Sequence, residues 1–192
     1  RVVLGRMRSE QRRGETAHFR RWAQQSGFMI EELNDFTFEG CGDAIWNYET
    51  GEIFGGFGLR SEEKAYDRLA ALTDAKIHRL QLVSENFYHL DTCFAVLNAK
   101  TALYTPEAFT AEGRALLQNQ FSDLIALDSA EAIKNFAGNT LSVDGHHVIL
   151  QAGSKKLVAD LKKRGFQPVE VETSEFIKAG GSVFCMKQLI DI

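Results

Sequence analysis

The chain has 192 residues, 44% hydrophobic and 25% charged, with a net charge of -4, a composition typical of a globular protein long enough to bury a real core. The balance leaves no nucleic-acid footprint, because the basic cluster Arg6, Arg8, Arg12 and Arg13 is local and interleaved with Glu10 and Glu15. No apolar run is long enough to cross a membrane, and the cysteines at 41, 93 and 185 have neither zinc-site nor disulfide-framework spacing. No signal peptide is read at the start of the chain, and free thiols suit a reducing compartment, so the cytoplasm is the expected location.

Residues 1–7 (RVVLGRM) read as a strand already under way. A helix over 14–25 and a strand over 29–33 follow. The next unit has a β-rich run over 37–47, a turn at Glu49-Thr50-Gly51 and a strand over 52–56. Its helix spans 61–72, with Ser61 as N-cap and Ala65, Leu69 and Leu72 on one face, and a strand over 79–83 closes the unit. The following unit repeats the order, with strands over 90–97 and 101–104, a helix over 106–118 and a strand over 124–127. Thr105 caps that helix and Pro106 takes its first position. A third unit has strands over 137–143 and 147–151 around the tight turn Asp144-Gly145, a helix over 154–164 ended by Gly165, and a strand over 167–172. Last comes AGGSVFC, two glycines leading into a short strand that carries Cys185.

Each unit is therefore ββαβ, and the units recur every 50 residues: Glu39, His89 and Asn139 stand at equal pitch, with Cys185 46 residues further on. A period near 50 marks a propeller or array. The fold class is α/β, one propeller domain over residues 1–192. Starting on a second strand, it is expected to lack one whole unit and the start of the next at its N-terminus. An unclosed sheet edge pairs readily with another chain, which makes a homo-oligomer the expected assembly.

Equivalent positions in a radial array converge on its axis, which brings a carboxylate, an imidazole and a thiol together. His89 and Asp91 alternate along an expected strand, so both face one side as an acid/base and cation-binding pair. Glu39 is read either as part of an acidic turn with Asp43 or as the group that orients His89. Cys41 and Cys93 are read as packing, Asp43 as a partner for nearby backbone amides, and Asn139 as a position with no obvious chemistry. Arg12 and Arg60, by themselves, read equally well as solvated surface residues.

FEGCGDAI, FYHLDTCF and AGGSVFCMK resemble the three signature segments of the guanidine-modifying enzymes with the pentein fold. That superfamily includes arginine deiminase, dimethylarginine dimethylaminohydrolase, the arginine dihydrolases and the amidinotransferases. The extra residue in FEGCGD, against the commoner FEGGD, resembles the arginine dihydrolase-like and bacterial dimethylarginine hydrolase-like branch most. The resemblance implies Cys185 as nucleophile, His89 as general acid/base, Glu39 as its carboxylate partner and Asp91 as the grip on the guanidinium. It implies Arg12 (Arg13 in the alternative register) and Arg60 as holders of the substrate α-carboxylate. The implied reaction hydrolyses a C–N bond of arginine or a methylarginine through a covalent amidino-thioether, with no metal or cofactor. Amidino transfer and a non-catalytic binding scaffold are the alternatives. Two departures stand out. Lys187 replaces the usual small hydroxyl residue, where it would either acidify the thiol or obstruct the site. The family's further carboxylate or asparagine would fall about 11 residues ahead of Arg1 by extrapolating the period.

Overall fold

The computed structural model describes residues 1–189, so the last three positions of the expected 1–192 unit lie outside the described residues. Three three-stranded sheets share one plan. An antiparallel hairpin is followed by a helix that returns the chain to a parallel third strand, as the ββαβ pattern requires. The first has β3 (Ala44–Asn47) and β4 (Glu52–Phe57), α2 (Ala65–Thr73) and β5 (Ile77–Gln81). The second has β6 (Phe94–Val96) and β7 (Thr101–Tyr104), α3 (Ala111–Gln120) and β8 (Asp123–Ala126). The third has β9 (Leu141–Ser142) and β10 (His147–Gln151), α5 (Lys155–Lys163) and β11 (Gln167–Val171). A fourth, partial unit precedes them, with β1 (Val2–Leu4), α1 (Glu15–Gln25) and β2 (Ile30–Glu32).

The hairpin strands β3, β6 and β9 lie side by side at the centre of this arc of sheets. The arc stays open among the described residues. The sheets are joined by apolar side chains between the blades. Phe54 on β4 meets Phe94 and Phe121 with ring centroids 5.2 Å apart in both cases. Each of these buried rings contributes about 1.5–3 kcal/mol by removal from water. A smaller core of Leu33, Phe38, Ile53, Tyr66 and Leu69 ties the first unit to the partial one.

The expected elements differ from the observed ones where the site intervenes. The long first strands over 37–47, 90–97 and 137–143 are mostly not strand. The first two contain 3-10 turns at Gly40–Gly42 and Leu90–Thr92, and only their ends are extended. The short strand expected at Cys185 is likewise a 3-10 turn, Phe184–Met186. Ser61 does not cap a helix. Its buried hydroxyl donates to Asp43 (2.7 Å) and accepts from the Glu39 amide (3.0 Å), so α2 begins only at Ala65. The helix over 106–118 splits into a 3-10 turn (Pro106–Ala108) and α3, because Phe109 is extended into the core and Thr110 becomes the cap, accepting from the Gly113 amide at 3.2 Å. Two further helices, α4 (Ser129–Lys134) and α6 (Ser174–Ile177), connect units where only loops are expected.

Candidate active site

The 3-10 turns at Gly40–Gly42, Leu90–Thr92 and Phe184–Met186 meet at one end of the central strands, and between them they carry most of the chemistry. Glu39 and His89 occupy the position just ahead of the first two turns. His89 Nε2 lies 2.6 Å from Glu39 Oε2, while Glu39 Oε1 accepts the Arg8 amide at 2.9 Å and Arg60 reaches Oε2 at 3.4 Å. The Glu39 side chain has no exposed surface. Burial alone would push its pKa up, but the His89 hydrogen bond, the Arg8 amide and two cationic neighbours hold it at about 2. On the imidazole, burial pulls down and the carboxylates of Glu39, Asp43 and Asp91 pull up, with a net rise. Each partner thus favours the charged form of the other.

Asp43 braces this pair from behind. It is buried, its Oδ1 accepts the Leu90 amide (3.0 Å) and its Oδ2 the Ser61 hydroxyl (2.7 Å), so it does bond nearby amides as the sequence suggests. Gly42 packs closely against the His89 ring. A side chain there would place its Cβ 3.0 Å from His89 Nδ1. Gly42→Ala is expected to tilt the imidazole and lower kcat by ~10–100-fold, the scale of an ångström-level misplacement, with little loss of thermal stability. Steady-state rates set against a melting curve test this; an unchanged kcat would contradict it.

Asp91 does not alternate with His89 on a strand. His89 is extended (φ -124, ψ 156) and Asp91 sits within the turn that follows, turned toward the Cys185 loop. The Cys185 thiol donates to Asp91 Oδ2 at 3.2 Å, and Asp91 Oδ1 is buried without a hydrogen-bond partner. Burial raises the Asp91 pKa to about 6 against the opposing pull of His89 and the thiol. Burial and the adjoining carboxylate push the Cys185 thiol up to about 12, so it rests as a thiol. Cys185 as a residue is exposed, yet its sulfur is turned onto Asp91 and Asn139.

Asn139, fully buried, donates from Nδ2 to Cys185 Sγ (3.1 Å) and to the Asp91 carbonyl (3.0 Å), and accepts on Oδ1 from the amides of Ser182 (3.1 Å) and Cys185 (3.2 Å). The neighbouring glycine makes this possible: a Cβ on Gly138 would stand 2.5 Å from the Thr92 carbonyl oxygen. Tyr88 joins the remaining parts. Its ring lies 5.0 Å from the Arg60 guanidinium and 5.0 Å from the His89 ring, and its hydroxyl donates to the Gly180 carbonyl in the cysteine loop.

Glu39, His89, Asp91, Cys185 and Arg60 thus come together. Arg12 does not join them by hydrogen bond. Its exposed guanidinium is held by Glu15 at 2.8 and 3.0 Å, and Arg13 turns to Glu10 and the Met7 carbonyl. Lys187 does not share a strand face with Cys185, since a turn intervenes. Its ammonium lies 3.7 Å from the Phe184 ring centroid, and burial lowers its pKa. Tyr88 and Asn139 join this group, although the sequence alone assigns neither a role.

A family profile described as "N,N dimethylarginine dimethylhydrolase, eukaryotic" matches residues 1–190. The bifunctional arginine dihydrolase/ornithine cyclodeaminase AgrE of Nostoc is 38% identical over 188 residues, covering 96% of this chain and 26% of that protein. The N(G),N(G)-dimethylarginine dimethylaminohydrolase of Mycobacterium tuberculosis is 36% identical over 184 residues, covering 96% of this chain and 59% of that protein. The chain therefore spans from about a quarter to under two thirds of these relatives. Among solved structures, the N-terminal domain of the cyanobacterial arginine dihydrolase ArgZ bound to substrate superposes with a TM-score of 0.89 at 36% identity, over 94% of this chain and 67% of that one. The same domain covalently bonded to a reaction intermediate gives 0.91, over 96% of this chain and 68% of that one. An amidinotransferase from Microseira wollei shares the fold at 16% identity, with a TM-score of 0.78 over 96% of this chain and 64% of that one.

Proposed function

The chain belongs to the N,N dimethylarginine dimethylhydrolase family, and from that premise we propose that it hydrolyses a C–N bond in the guanidinium group of arginine or a methylated arginine. The observation that carries this reading is Asp91. A buried carboxylate with one oxygen on the nucleophile's thiol and the other unpartnered is an incomplete site. A planar cation with two parallel N–H donors completes it, and a guanidinium has that shape.

The substrate guanidinium takes both Asp91 oxygens and displaces the thiol hydrogen bond. Its positive charge removes the unfavourable field that keeps the sulfur protonated, so Cys185 releases its proton to solvent as the cation seats. The thiolate attacks the central guanidinium carbon, forming an S–C bond. His89, charged against Glu39, gives its proton to the departing nitrogen as the C–N bond breaks, which releases ammonia or a methylated amine. Neutral His89 then takes a proton from water. The resulting hydroxide adds to the amidino carbon, and the S–C bond breaks to return the thiolate, leaving citrulline. A second hydrolysis by the same groups gives ornithine, carbon dioxide and ammonia. Arg60, backed by the Tyr88 ring, holds the substrate carboxylate, and Arg12 joins it on leaving Glu15. Free thiols at all three cysteines support a reducing compartment such as the cytoplasm.

The test is incubation of the protein with arginine and with dimethylarginine, and identification of the products by mass spectrometry. Citrulline, ornithine or dimethylamine is expected; the lack of all three overturns the reading. The rate of the free enzyme should also report Asp91. Because its carboxyl titrates at about 6 and only the anion binds a guanidinium, kcat/KM is expected to fall tenfold per unit as pH drops below that value. A pH profile flat down to about 5 contradicts this assignment.

A further inference from the structure

We propose that Asn139 is itself a catalytic residue, whose side-chain amide stabilises the Cys185 sulfur as an anion in both halves of the reaction. This rests on the reading of Cys185 as the nucleophile. The geometry separates the two ends of the amide. Oδ1 performs a structural task, accepting the Ser182 and Cys185 amides and so fixing the loop. Nδ2 has two hydrogens. One goes to the Asp91 carbonyl and sets the direction of the other, which is aimed at Sγ from 3.1 Å. With no exposed surface, the group has all four hydrogen-bonding positions engaged and cannot rotate.

A donor fixed on sulfur favours its charged form, because hydrogen bonds to an ionised acceptor are about twice as strong as neutral ones. Sulfur is anionic before attack and again when it leaves the hydrolysed intermediate, and it is neutral in the thioether between. The same N–H therefore lowers the barrier of bond formation and of bond breaking. Among the other groups around the sulfur, Asp91 opposes the anion and the Tyr88 hydroxyl is committed to Gly180, while the Ser182 amide, itself held by Asn139 Oδ1, and the charge of Lys187 over Phe184 favour it. Asn139 is the side chain that donates a hydrogen bond to the sulfur. A buried chain from Gln151 through Thr173 to Ser182 supports the loop from behind and leaves the amide its site role.

The 50-residue pitch explains why an amide stands here. Glu39, His89 and Asn139 stand at the same position of three successive units, and all three side chains reach the one site. Three chemistries have been set on one repeated position: an acceptor for the imidazole, the imidazole, and a donor for the sulfur.

Asn139→Asp keeps Oδ1 and the shape, removes the donor and adds a charge beside Sγ, whereas Asn139→Ala removes the donor without adding charge, so the slowing is expected in both. Alkylation by iodoacetamide at pH 8, with peptide mapping by mass spectrometry, reads Cys185 against exposed Cys41 in the same molecule. Below the thiol pKa the rate follows the thiolate fraction. Loss of a charge-assisted bond is expected to slow Cys185 about tenfold or more relative to Cys41. With arginine as substrate, kcat should fall by a similar factor and KM should stay within about twofold, since the amide contacts no substrate atom in this scheme. If Asn139→Asp does not fold, Asn139→Ala carries the test, with the same slowing expected. An unchanged Cys185:Cys41 ratio in a folded variant overturns the proposal, as does a faster Cys185, which marks a merely structural clamp. Alkylation needs no turnover, so a slowed thiol in a protein that turns over no guanidino compound would sink the hydrolase reading, and the catalytic role with it, while leaving the amide's stabilisation of the thiolate standing; the two failures are thereby distinguished.

Discussion

Asp91→Asn is expected to reduce kcat/KM by ~10³-fold or more while raising the melting temperature at neutral pH. Two charge-assisted bonds from a guanidinium, each worth about 1.5–3 kcal/mol, are lost with the charge. The stability gain follows from linkage. Asp91 titrates at about 6 when folded and at about 3.9 when unfolded. Between those values the folded state binds the extra proton, so stability falls as pH rises through the window, and the full cost is present at neutral pH. Removing it returns roughly 2–3 kcal/mol, less whatever the buried amide leaves unpaired. For a chain of this size that is a rise of several degrees, at ~2–4 °C per kcal/mol. Below about pH 4 the two proteins should melt alike. Arginine should stabilise the wild-type protein and leave Asp91→Asn unmoved. A variant that melts lower than wild type at neutral pH, or still shifts with arginine, contradicts the account of Asp91 as a strained, unfilled cation site.

His89→Ala is expected to cost both activity and stability. Loss of the acid and base that serve the two half-reactions should lower kcat by ~10²–10⁴-fold. It also leaves Glu39, whose side chain is wholly buried, without its principal partner. Breaking a buried pair costs about 3–5 kcal/mol, and the lower end is expected here because Arg60 and the Arg8 amide remain on the carboxylate. The pH dependence has a definite sign. The depressed Glu39 pKa, about 2, gives stability that is present above the ordinary glutamate value and lost as pH falls through the folded one. The raised His89 pKa gives stability present below the ordinary histidine value and lost as pH rises through the folded one. The gap between wild type and variant should therefore be widest between about pH 4.5 and 6.5. Denaturant midpoints across that range check it; a gap that widens toward alkaline pH would exclude the ion pair as its source.

Period and turn chemistry made the architecture legible. Each third strand falls within two residues of its expected span, because parallel strands following amphipathic helices carry strong apolar patterns. The strands leading into the site were overlong for a physical reason. Gly40, Gly42 and Asp91 sit in stretches rich enough in apolar residues to read as extended, but the chain must turn there to bring Glu39, His89 and Cys185 to one point. Ser61 reads as a cap from sequence because its partners, Asp43 and the Glu39 amide, are distant along the chain. Pitch singles out Asn139, but its chemistry is silent in the sequence, since an amide signals nothing until its neighbours are known. Its four partners come from the Leu90–Thr92 turn and the cysteine loop, nearly 50 residues away in each direction. Arg12 sits near enough to Glu39 and Tyr88 to feel their charge but makes no hydrogen bond to them, because Glu15, three residues away, captures its guanidinium locally.

The central claim is that Cys185 becomes covalently bonded to the guanidino carbon of the substrate. The most direct measurement is rapid acid quench of the protein during turnover of arginine or dimethylarginine, followed by intact-mass analysis and peptide mapping. An adduct equal to the substrate less its departing amine is expected, located on Cys185 and absent from Cys41 and Cys93. Products formed with no adduct at any quench time, or with undiminished rate in Cys185→Ala, would contradict it.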